Sequence, residues 1–125
     1  GYRFFEPGAA EFWKPMSLAQ NADHIEVPIL VQTGDSEYQS GLDVNAAFHL
    51  RGKPFELHVL PDEGHVKWQP AHRLAMYERS TEWFEFWLMG RMNCDPGKAE
   101  QLARWRAMKG APVNPVCGFH SSSDP

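Results

Sequence analysis

Two short stretches carry residue types suited to acid–base chemistry. Residues 32–40, "QTGDSEYQS", hold Asp35 and Glu37. Residues 61–65, "PDEGH", end on His65. A carboxylate beside a neutral histidine is the orienting half of a nucleophilic triad. The carboxylate accepts the Nδ1 proton, fixes the tautomer and steadies the imidazolium, and Nε2 is left to take a proton from a serine hydroxyl. In α/β-hydrolases the chain order is serine, acid, histidine; here the acid loop precedes the histidine loop. Either stretch alone reads as ordinary turn chemistry. Order and shared placement together point to a site.

The placement follows from the elements. "PILVQT", residues 28–33, holds Ile29, Leu30 and Val31 in a continuous apolar run, the mark of a strand buried on both faces. Gly34 ends it. "SGLDVNAAFHLRG" predicts a helix that opens on a Ser40–Asp43 cap, packs Leu42, Ala46, Ala47 and Leu50, and stops at Gly52. "PFELHVLP" predicts a second strand with Phe55, Leu57 and Val59 on one face, closed by Pro61. Strand, helix, strand makes a parallel crossover. Loops 34–40 and 61–67 then share the carboxyl edge of the sheet, where open α/β folds place their sites. Residues 70–89 predict an amphipathic helix. Its apolar stripe is Leu74, Tyr77, Thr81, Phe84 and Leu88, and Glu78, Glu82 and Glu85 form its solvated face. A further helix is expected at about 97–109 around Ala99, Leu102 and Trp105. Residues 1–23 are irregular with room for a helical turn, and 111–125 read as a loose tail.

Composition narrows the function classes. The 125 residues are enough for one domain of common size. A net charge of -4 without a basic stripe argues against nucleic acid. No apolar run approaches the roughly 20 residues of a membrane span, and "GYRFFEPGAA" has no signal-peptide core. These features point to a soluble protein and do not choose its compartment. Six histidines form no HExxH or finger pattern, so no zinc site is expected. Cys94 and Cys117 read as two unremarkable thiols, with one disulfide to the tail as the alternative.

The serine is the gap. Ser17, Ser36, Ser40, Ser80 and the tail serines all lack the G-x-S-x-G elbow. Two parallel strands also cannot cover themselves. The expectation is therefore one part of a larger α/β domain. Residues 1–110 are its C-terminal part and 111–125 a tail, with the missing strands, the nucleophile and the oxyanion hole N-terminal to residue 1.

"VPILVQTGDSE", a helix, then "PFELHVLPDEGHVKWQPAHRLAMYERSTEWFEFWL" resembles the end of the catalytic domain of prolyl oligopeptidase-family serine peptidases. In that family the acid lies three residues past the strand-ending glycine, and the histidine sits in a Gly-His turn. The resemblance covers about residues 11–90 and implies an α/β-hydrolase fold with Glu37 and His65 as catalytic acid and histidine. Asp35 is the runner-up acid. The family usually has Asp at the acid position; Glu37 and the shortened loop are similar to the lasso peptide isopeptidases, which carry an N-terminal β-propeller. Those enzymes open the isopeptide bond between a lasso peptide's N-terminal amine and an Asp or Glu side chain. The resemblance then implies partners in the propeller and serine-bearing portion of the same enzyme, and a lasso peptide substrate. Tyr38 and Trp68 are candidate substrate contacts, although such residues also pack or solvate loops. His72 reads as a surface helix residue. An esterase, a dipeptidyl or acylaminoacyl peptidase, and a non-enzymatic α/β module are the alternatives.

Overall fold

In the computed structural model, which describes residues 8–110 and Val116–Cys117, strands β1 (Ile29–Gly34) and β2 (Phe55–Leu60) form a parallel pair. Their register runs from Ile29↔Phe55 to Gly34↔Leu60. Helix α2 (Gln39–Leu50) connects them, and a short α1 (Ala9–Trp13) lies near the start of the chain. Strand, helix and strand thus stand where the apolar runs predict them.

The faces of α2 differ from the expectation. Phe48 is fully buried, with Val44 and Ala47 packed alongside it and Phe55 and Ala22 beneath. The Phe48 and Phe55 rings lie 5.1 Å apart. Positions 44, 47 and 48 follow the i, i+3, i+4 rule, which turns Leu42 and the 86% exposed Leu50 to solvent. The expected Ser40–Asp43 cap is also replaced. Tyr38 is the N-cap residue, without a side-chain cap, and the Ser40 hydroxyl donates to the Glu37 carbonyl at 2.9 Å.

Helix α3 (Pro70–Phe84) runs into a π-turn over Glu85–Met89 and stops at Gly90, whose φ of 66° suits glycine. Its buried residues are Trp83 and, in the π-turn, Phe86. With Met92, Leu102 and Trp105 they form the second core, against which Leu30 packs. Trp105 comes from α4 (Ala99–Lys109) and meets Trp83 edge to face at 5.1 Å. The expected stripe of Leu74, Tyr77, Thr81, Phe84 and Leu88 stays exposed. The face of α3 turned toward the sheet is tied from far along the chain: Gln32 of β1 donates to the Met76 carbonyl at 3.1 Å and the Ser80 hydroxyl at 2.9 Å. Glu82 is likewise not on a solvated face. It accepts from Asn93 (2.8 Å), Gln101 (2.7 Å) and Lys98 (3.2 Å) and ties α3 to α4. Glu78 is exposed and Glu85 half-buried.

Two short strands close the described chain. β3 (Arg91–Met92) pairs in parallel with β4 (Val116–Cys117), Met92 opposite Cys117. The pairing carries Cys117 to Cys94, and the two form a disulfide with Cα atoms 5.7 Å apart. The reading as free thiols is thereby corrected, and at residues 116–117 the tail is pinned rather than loose. Residues 111–115 and 118–125 of the expected tail, and 1–7 of the irregular start, lie outside the described residues. The disulfide closes a span of 23 residues, and a loop of that size is worth about 3 kcal/mol by chain entropy. Urea unfolding with and without reductant should show a loss of that order, matched by Cys94→Ser.

Candidate active site

Both site loops leave the sheet at its carboxyl edge, one residue past paired ends. The Asp35 amide donates to the Leu60 carbonyl at 3.0 Å, which extends the ladder one step beyond Gly34. The Glu37 amide then donates back to the Gly34 carbonyl at 3.0 Å. This tight turn presents the Glu37 side chain and feeds directly into α2. On the other strand Asp62 adopts a left-handed φ of 52°, a conformation Asp tolerates better than most residues. Its amide donates to Asp35 Oδ2 at 2.9 Å. Ser36 donates to the Glu63 carbonyl at 3.2 Å.

The loops touch at Gly34. A Cβ there would lie 2.1 Å from the Glu63 carbonyl oxygen and 2.9 Å from that of Gly64. Only a residue without a side chain lets the two backbones approach this closely.

Across this junction His65 Nδ1 lies 3.2 Å from Glu37 Oε1 and 3.3 Å from Oε2. With Nδ1–H donating to the carboxylate, Nε2 carries the lone pair. The His65 side chain is 89% exposed, and that of Glu37 39%. The pair can therefore take a proton from a hydroxyl brought to its open side. Asp35, the runner-up acid, accepts from the Asp62 amide through Oδ2. Tyr38 is half-buried at the start of α2, where its carbonyl accepts from the Gly41 amide at 2.9 Å. Trp68 is exposed. With Val66, Lys67, Arg73, Met76 and Tyr77 it lines a cavity of about 270 Å³ that begins one residue after His65. Among the described residues no group of His, Cys, Asp and Glu could hold a metal ion.

Glu63 was missed in the sequence. It is buried, and its carboxylate accepts from the Trp68 amide at 2.8 Å, the Gln69 amide at 3.0 Å and His72 Nδ1 at 3.0 Å. His72 is therefore not a free surface residue. The available signal was an acid shortly before Pro70 at the start of a helix, where unpaired amides attract a carboxylate. The Trp68 hydrogen bond above all, helped by Gln69 and His72 and opposed by burial, holds the Glu63 carboxyl below its ordinary value of 4.5. Glu63 thus contributes stability that is complete above about pH 4.5 and is lost as pH falls through its lowered folded value. His58 on β2 is held neutral, chiefly by burial and then by Arg79, below its ordinary 6.5. Its contribution is complete above about pH 6.5 and falls as acid forces the proton on. Urea unfolding of wild type and Glu63→Gln from about pH 7 to about pH 3 should show a stability gap that is widest at the top of that range and narrows below about pH 4.5.

The model of the prolyl oligopeptidase family matches residues 5–91. The chain is 47% identical over 98 residues to the lasso peptide isopeptidase AtxE2 of Asticcacaulis excentricus, covering 78% of this chain and 14% of that protein. It superposes on the apo structure of AtxE2 isopeptidase with a TM-score of 0.78 at 44% identity, covering 84% of this chain and 16% of the other. A serine-to-alanine variant of AtxE2 with astexin3-dC4 bound gives 0.76 at 46% identity, over 79% and 15% of the two chains. The chain thus spans 14% of the length of the curated relative it matches. With most of its length inside the family model and close to half of its aligned residues shared with a member, the chain belongs to the prolyl oligopeptidase family of serine peptidases, and its β1–α2–β2 unit is part of an α/β-hydrolase fold.

Proposed function

We propose that this chain is the acid- and histidine-bearing C-terminal part of a lasso peptide isopeptidase, with residues 1–110 in the catalytic domain and 111–125 as its tail. The observation that carries the reading is the Glu37–His65 contact at the shared carboxyl edge of β1 and β2. The identity to AtxE2, itself a lasso peptide isopeptidase, supports the substrate class. The serine, the oxyanion hole and a β-propeller come from the N-terminal portion of the same enzyme. His65 Nε2 takes the serine proton as the hydroxyl oxygen attacks the isopeptide carbonyl carbon. The carbon–nitrogen bond breaks, and the proton passes to the departing N-terminal amine. Water then attacks the acyl-enzyme, His65 takes its proton and returns one to the serine, and one water is consumed overall. Glu37 keeps the Nδ1–H tautomer throughout. No metal or organic cofactor enters the scheme. Trp68 and Tyr38 flank the pair as substrate contacts. The Cys94–Cys117 disulfide favours the periplasm over the reducing cytoplasm.

The test is incubation of the full-length enzyme with a lasso peptide, followed by liquid chromatography and mass spectrometry. The expected product is the linear peptide, heavier by one water. An intact lasso, together with turnover of a simple ester or release of dipeptides from linear peptides, would replace this reading with another hydrolase activity.

A further inference from the structure

We infer that Glu63 is a positioning residue for His65, acting through both its backbone and its side chain; the inference rests on the reading of Glu37 and His65 as a working pair. Its carbonyl is wedged against Gly34 and accepts from Ser36, which fixes the turn to the acid loop. Its buried carboxylate reaches the other way, to the Trp68 and Gln69 amides and to His72 on α3. His65 lies between these two anchorages, and its own side chain is exposed. The Lys67 ammonium adds a brace from below by donating to the Gly64 and His65 carbonyls. His65 itself has little packing to hold it. Among the described residues its place opposite Glu37 is set by the backbone on either side, and Glu63 bonds both sides. A neutral amide at 63 keeps the shape but replaces one acceptor oxygen with a donor. Two amides and His72 then compete for one acceptor, and the turn loosens.

The pair can be read directly by long-range 1H–15N correlation of the His65 ring in wild type, Glu37→Gln and Glu63→Gln. Wild type should show His65 held as the Nδ1–H tautomer, and Glu37→Gln should abolish that preference. Glu63→Gln should abolish it too while far-ultraviolet circular dichroism stays unchanged. In the full-length enzyme the same variant should lower kcat about 10²-fold with KM little altered, as expected for a small misplacement of a catalytic group. If Glu63→Gln does not fold, Gln69→Pro removes one of the donors at a residue whose φ of -73° proline accepts, and should weaken the tautomer preference in the same direction. A folded Glu63→Gln, or Gln69→Pro in its place, that keeps the wild-type His65 signature overturns the role of Glu63. A wild-type His65 indifferent to Glu37→Gln instead overturns the pair.

Discussion

His65→Ala in the full-length enzyme should lower turnover of a lasso peptide by about 10⁴- to 10⁶-fold, and Glu37→Gln by about 10⁴-fold. The two losses have different origins. Without the imidazole no group at this site takes the serine proton. With glutamine at 37 the imidazole remains, but the carboxylate that selected its tautomer is gone, and a ring with the proton on Nε2 is useless as a base. Combining the two changes should cost little more than the worse one alone, because both disable one device. Asp35→Asn is the discriminating control. Asparagine can still accept from the Asp62 amide, now bonded to Asp35 at 2.9 Å, so turnover should stay within about tenfold of wild type. Single-turnover kinetics on wild type and the four variants would check this. A collapse in Asp35→Asn with Glu37→Gln active would move the acid role to Asp35.

Gly34→Ala should be the most damaging small change in the chain, costing about 3 kcal/mol. The added methyl would sit 2.1 Å from the Glu63 carbonyl oxygen and 2.6 Å from its carbon. Both are backbone atoms and cannot rotate away as a side chain can, so one of the site loops must move. Relief would come at the Ser36–Glu63 and Asp35–Asp62 bonds, and the Glu37–His65 contact would open with them. Gly41→Ala provides the comparison. Its methyl would meet the end of Leu57 at 3.1 Å, a flexible contact, and alanine is the better helix former by about 0.5–1 kcal/mol. Gly41→Ala should therefore stay near wild type in urea unfolding while Gly34→Ala falls well below it. Equal stability in the two would show that the loops have more slack than a 2.1 Å approach allows.

Legibility in the sequence divided along the range of the forces involved. The continuous apolar run at 29–31, the stop at Gly34 and the return at 55–60 are local signals, and β1, α2 and β2 follow them. Strand order alone then brought Glu37 and His65 to one edge. Faces were less legible. The exposed α3 stripe was chosen by periodicity, but the helix rotates to serve Gln32, a polar residue on a distant strand. Glu82 looked like a solvated acid because its partners Asn93, Lys98 and Gln101 arrive from beyond the next turn. The disulfide was similarly hidden, since it depends on the β3–β4 pairing and two-residue strands carry almost no pattern. Glu63 sits beside a more conspicuous histidine, and the helix-start signal before Pro70 is faint next to it.

The parallel register from Ile29↔Phe55 to Gly34↔Leu60 also sets where this chain can change length. The acid and the histidine are referenced to the two strand ends, and the path between those strands does not enter their spacing. Around Gly52, exposed and with open space beside it, extra residues could be accommodated as surface loops commonly accommodate them. A single residue added between Gly34 and Glu37, or between Leu60 and His65, would displace one reactive group relative to the other. The segment therefore has a tolerant connector and two intolerant tips, and homologues that diverge in length should do so on the connector.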